Sequence, residues 1–150
     1  MLFRLVCFVS ALFFISPVLM SPVSAQTDVI AQRKALMKGV GGATRDPGQM
    51  LRGQQGFDLA KVKAALETYA EAASKMPALY PAGSETGGET QAAPAIWQNK
   101  ADFDARLAKF GADAKTALAS ISDEASFKTA FPVVMKNCGG CHETYRAEKK

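Results

Sequence analysis

The chain has 150 residues, a length suited to one domain. Eighteen basic against 14 acidic residues give a net charge of +4, too mild and too dispersed for a nucleic-acid-binding face. The single histidine and three cysteines restrict any thiol or imidazole chemistry to very few positions.

Residues 1–4 end on Arg4, an apolar stretch runs from about Leu5 to Met20, and Val23-Ser24-Ala25 supplies small residues. This pattern predicts a secretory signal peptide over 1–25, cleaved before Gln26. A retained anchor is the other reading, but the stretch falls short of the roughly 20 residues a spanning helix needs. Pro17 and Pro22 also interrupt it. Cys7 leaves with the leader. The expected domain is 26–150, with 17 basic and 14 acidic residues once Arg4 is gone, a net +3. Arg146, Lys149 and Lys150 cluster near its end. They either complement a helix C-terminus or steer an acidic partner.

Helical periodicity recurs four times, and no strand alternation stands out. The first segment runs from about Asp28 into the forties, with Ile30, Arg33, Met37 and Val40 on one stripe. Gly39, Gly41 and Gly42 weaken it and permit a bulky group to approach. Pro47 predicts a kink or break over 45–48. The second helix begins after Phe57 with Asp58 as N-cap; Leu59, Val62, Leu66, Tyr69, Ala73 and Met76 form its stripe, and it ends at Pro77. Residues 78–93 read as a long loop, and residues 95–97 as a short helical turn after Pro94. The third helix starts near Asn99 or Lys100, with Phe103, Leu107, Phe110, Ala114, Leu118 and Ile121 as its core stripe. The fourth begins after Ser122 or Asp123, its stripe being Phe127, Phe131, Val134, Cys138, Cys141 and Tyr145. Pro132 is a candidate bend. The expected fold is all-α, an antiparallel four-helix bundle.

Cys138-Gly139-Gly140-Cys141-His142 is C-x-x-C-H, the attachment pattern of a c-type haem. Residues i, i+3 and i+4 share a helix face, so two thioethers and a proximal imidazole can address one macrocycle. A zinc site would need about four ligands, and 26–150 offers no other Cys or His. A redox dithiol belongs in a βαβ setting, absent here. The pattern therefore predicts one covalent haem c on the C-terminal helix, iron bound by His142, and no structural disulfide. An exported haem protein points to a bacterial periplasm.

Arg33-Lys34-Ala35-Leu36-Met37, Phe57-Asp58, the segment from Tyr80 to Thr86, Pro94-Ala95-Ile96-Trp97 and the run from Cys138 to Arg146 together resemble the class II c-type cytochromes. This is the cytochrome c′ and cytochrome c-556 family, and the likeness covers all of 26–150. The loop segments are similar to those of the low-spin c-556 branch. That resemblance implies Met37 as distal iron ligand, Arg33 beside a haem propionate and Arg146 on the proximal haem side. Among the other methionines, Met135 shares the helix of Cys138, Met50 follows Pro47, and Met76 reads as core. Trp97 and Phe57 read as loop or core packing.

The implied function is a periplasmic one-electron carrier with a His/Met-ligated low-spin haem. Its partners are periplasmic redox proteins. It lacks a stable membrane anchor after cleavage, binds no nucleic acid, and is a monomer or homodimer. The alternative is a five-coordinate cytochrome c′ that binds NO or CO at an open distal iron, with Met37 only packing over it. Enzyme activity is not expected, since no positioned acid–base pair is evident.

Overall fold

The computed structural model describes residues 22–148. Within them lie four long helices: α1 (Pro22–Leu51), α2 (Leu59–Lys75), α4 (Lys100–Ser120) and α5 (Glu124–Tyr145). The short helix α3 (Ala95–Gln98) precedes α4, and a 3-10 turn, Met76–Leu79, extends α2. The architecture is an all-α four-helix bundle. The expected leader lies outside the described residues except for the backbone of 22–25, which forms the first turn of α1.

Three of the four long helices start or stop where their side chains dictate. Asp58 accepts a hydrogen bond from the Lys61 amide at 3.1 Å and caps α2. Asp123 and Ser126 form a reciprocal capping box at the start of α5. The backbone donors of those first turns would otherwise be unpaired. α4 starts at Lys100, as its apolar stripe indicates.

α1 starts earlier than expected and carries no break at Pro47. It begins at Pro22 rather than near Asp28, because proline is well suited to a first helical position, where its missing N–H costs nothing. It also runs unbroken through Pro47 to Leu51. The lost backbone bond is offset by burial, since the Pro47 side chain is wholly enclosed. Pro132 is likewise carried inside an unbroken α5.

The core has two parts. The first joins Val40 and Met50 of α1 to Leu66 and Tyr69 of α2, Phe110 of α4, and Phe127 and Phe131 of α5. The second, nearer the loop, gathers Met76, Tyr80, Ile96, Phe103, Leu107 and Tyr145. α2 packs closely on both α1 and α4, and α4 on α5, whereas α1 and α5 scarcely touch. Between them lies a cleft of about 390 Å³ lined by Gly41, Thr44, Gly48, Phe131 and Met135 among others. One side of the bundle is therefore left open along the two helices that carry the candidate ligands.

The α2–α4 approach depends on Gly111, where an added Cβ would sit 3.1 Å from the Ala73 Cβ. Replacing Gly111 with Val should destabilise the fold by about 1–3 kcal/mol through overpacking. A thermal melt at equal haem content should fall by several degrees; an unchanged melting temperature would contradict this packing.

Candidate functional site

On α5 the core stripe is deeply buried as far as Val134, and Tyr145 is buried again at the helix end. Between them Cys138, Cys141 and His142 are only half-buried. The motif thus occupies the stretch of the stripe that protein atoms do not fully cover. Neither cysteine is in a disulfide, and burial raises the pKa of each thiol. Burial, helped by the positive charge of Arg146, lowers that of His142, favouring the neutral imidazole that a metal requires. Gly139 and Gly140 are exposed, and an added Cβ would meet nothing within 4 Å at either.

Cys141 packs on the second cluster. Cys138 bears electrostatically on Tyr69 and Cys141 on Tyr80, two buried phenols pushed up to about 12 by desolvation. Tyr69 is held by the Thr44 hydroxyl of α1 at 2.7 Å.

Met37 is half-buried on α1 and packs on the second cluster, as does Cys141. Of the other methionines of the domain, only Met76 belongs to that cluster. Met76 is fully buried and its sulfur accepts from the Tyr80 hydroxyl at 3.7 Å. Met50 belongs to the first cluster, and Met135 packs against it.

Arg33 is 3% exposed, one turn before Met37. Nη1 donates to the Leu79 carbonyl (3.3 Å) and Ser84 Oγ (3.2 Å), and Nη2 to the Ser84 carbonyl and Thr90 Oγ1, both at 2.8 Å. Its guanidinium also lies over the Tyr80 and Trp97 rings. Trp97 in turn donates from Nε1 to the Pro81 carbonyl, so it anchors the loop as expected. The sequence showed a long loop but not that α1 reaches into it. Gly88 shows how closely the loop lies on α1: it has φ +52°, and an added Cβ would meet Ile30 Cγ2 at 3.3 Å.

Two further connections had no sequence signal. The Ala93 amide donates to the Tyr145 carbonyl and the Ala147 amide to the Gln91 carbonyl, a short antiparallel bridge at Ala92 and Arg146. From α4, Arg106 reaches the Gly140 carbonyl inside the motif, and Asp102 accepts from the Tyr145 hydroxyl just beyond it. Such contacts are non-local and leave no periodic trace.

Two thiols and an imidazole on one half-buried helix face, with the Met37 thioether packed on the same cluster as Cys141, form a donor set that fits haem c. The cytochrome c′ family model matches residues 28–146. The chain belongs to the cytochrome c′ family. Its cofactor is therefore one covalent haem c. A cytochrome c′ of Rhodopseudomonas palustris is 50% identical over 125 residues, covering 83% of this chain and 86% of the relative. A cytochrome c-556 of Agrobacterium fabrum is 42% identical, covering 80% of this chain and 82% of the relative. The solved cytochrome c′ of R. palustris superposes with a TM-score of 0.80 at 48% identity, over 82% of this chain and 98% of that one. Both branch names thus occur among similar proteins. Among the described residues, no helix is long and apolar enough to cross a membrane.

Replacing Arg33 with Leu should cost about 2 kcal/mol, the range for a charged hydrogen-bond donor lost from buried partners. Amide hydrogen exchange at Ser84 and Thr90 should speed up; unchanged protection there would show that the loop does not depend on Arg33. A second expectation concerns Asp102, whose carboxyl is held below its usual range by the Tyr145 hydroxyl and Arg106. A depressed carboxylate stabilises the fold above its unfolded pKa of about 3.9 and loses that effect as pH falls. Asp102→Asn should therefore be less stable than the parent at neutral pH, with the gap closing below about pH 4. A gap that widens in acid would reverse the assignment.

Proposed function

We propose that this protein is a periplasmic one-electron carrier, with haem c attached through Cys138 and Cys141 and with His142 and Met37 as axial ligands. When bound, the haem iron supplies a ferrous–ferric couple. The chain's residues do the rest. Cys138 and Cys141 fix the macrocycle's orientation through their thioethers. His142 presents a neutral imidazole from the same helix. Met37 offers a soft thioether from α1, a ligand type that raises potential opposite His.

The observation that carries this reading is the shared packing of Met37 and Cys141 against one side-chain cluster; Met50 and Met135 belong with the other cluster, and Met76, though in the same cluster, is fully buried with its sulfur accepting from the Tyr80 hydroxyl. Holding both ligands in place limits geometric change on oxidation, which favours outer-sphere transfer. Arg33 fixes the loop one turn from Met37 and would supply the cation for a haem propionate that reaches it. Redox partners would be other periplasmic proteins, met by a monomer or homodimer.

A second reading has its own support. The R. palustris relative at 50% identity is named cytochrome c′, and Met37 keeps part of its surface exposed. If Met37 only packs over the iron, the site is five-coordinate and takes NO or CO.

Met37→Ala separates the two. Under the electron-carrier reading it converts a low-spin spectrum to high-spin and opens CO binding; an unchanged spectrum removes Met37 as ligand. Replacing Cys138 and Cys141 together with Ala should abolish covalent haem. Haem that survives denaturing extraction from that variant would refute the attachment site.

A further inference from the structure

Asp102 and Arg106 lie one turn apart on α4 and face the haem-motif end of α5. Arg106 donates from Nε to Asp102 Oδ2 at 2.7 Å and from Nη1 to the Gly140 carbonyl at 2.6 Å. The same carboxylate oxygen accepts from the Tyr145 hydroxyl at 2.5 Å. The guanidinium carbon also sits 5.4 Å from the Tyr145 ring centroid. The two α4 side chains therefore grip α5 on both sides of Cys141 and His142, at the residue just before the pair and at the third after it.

An exposed i,i+4 ion pair contributes little by itself. Here the pair is tied instead to a backbone carbonyl inside the C-x-x-C-H motif. Nearby, Lys109 and Asp113 form a similar pair, but its link to α5 goes through Asn137, before the motif. A cation near the carboxyl end of α5 is also favoured by the helix dipole.

We propose that Arg106 is a positioning residue for the haem-bearing turn and a fixed cation that favours the reduced haem, with Asp102 as its counter-charge. The inference rests on the reading that Cys138, Cys141 and His142 hold the haem. A fixed positive charge beside the site stabilises the state with less positive charge on iron, and its partner carboxylate opposes it. The two charges should therefore act on the potential in opposite directions, whereas simple loosening of α5 would not.

The test is the reduction potential of the matured holoprotein in four variants. Arg106→Gln should lower it, Arg106→Lys should leave it near the parent, and Asp102→Asn should raise it. The double variant D102N/R106Q should return toward the parent. Equal shifts in R106K and R106Q, shifts of one sign in R106Q and D102N, or no shift in either would overturn the proposal. If R106Q takes up no haem, D102N and R106K decide it by the same expectations. Haem staining after a denaturing gel separates the two levels. Covalent haem with an unmoved potential sinks the clamp alone. Covalent haem persisting in the C138A/C141A variant sinks the attachment site on which the clamp rests.

Discussion

Two of the chain's three cysteines and its only histidine lie on one face of one helix, within five consecutive residues of α5. A rigid cofactor attached there takes its orientation from that helix, so every other element matters according to how it fixes α5 or what it presents opposite. The bundle meets this demand asymmetrically. α2 and α4 form the packed floor, α4 holds α5, and α1 stands away from α5 while still reaching α2. A fully closed bundle would bury the thiols in hydrocarbon; this one leaves both half-covered, with Cys141 packed on the second apolar cluster.

Position on α1 is secured indirectly. Arg33 is buried and spends its terminal N–H groups on the loop over Leu79, Ser84 and Thr90. The loop then pairs with the end of α5 through Ala92 and Arg146. A mechanical chain thus runs from α1 through the loop to the helix that carries the motif. Met37, one turn after Arg33, inherits that placement. The loop is consequently part of the site even though none of its side chains is proposed to touch iron.

Much of this was legible in the sequence. The stripes of α2, α4 and α5 follow helical periodicity, and their members from Val62 to Phe131 are buried as the pattern requires, Leu118 only in part. Asp58 and Asp123 announce helix starts because a capping carboxylate acts locally. C-x-x-C-H names its chemistry by spacing alone. The continuity of α1 through Pro47 was not legible, because a local rule about a missing N–H competes with burial that only the assembled bundle supplies. Nor were the Arg33 cage and the Arg106–Gly140 contact, which join residues 34 to 57 positions apart. A charged residue on an apolar stripe, as Arg33 is, was the one available hint that a buried partner awaited it.

Family membership establishes the fold and the haem; the state of the sixth coordination position decides between carrying electrons and binding gas. The most direct measurement is the optical spectrum of the reduced, periplasmically matured protein before and after carbon monoxide. Ligation by Met37 predicts a sharp low-spin α-band that carbon monoxide leaves unchanged. A broad high-spin spectrum that shifts with carbon monoxide would contradict it and make this an open-site cytochrome c′.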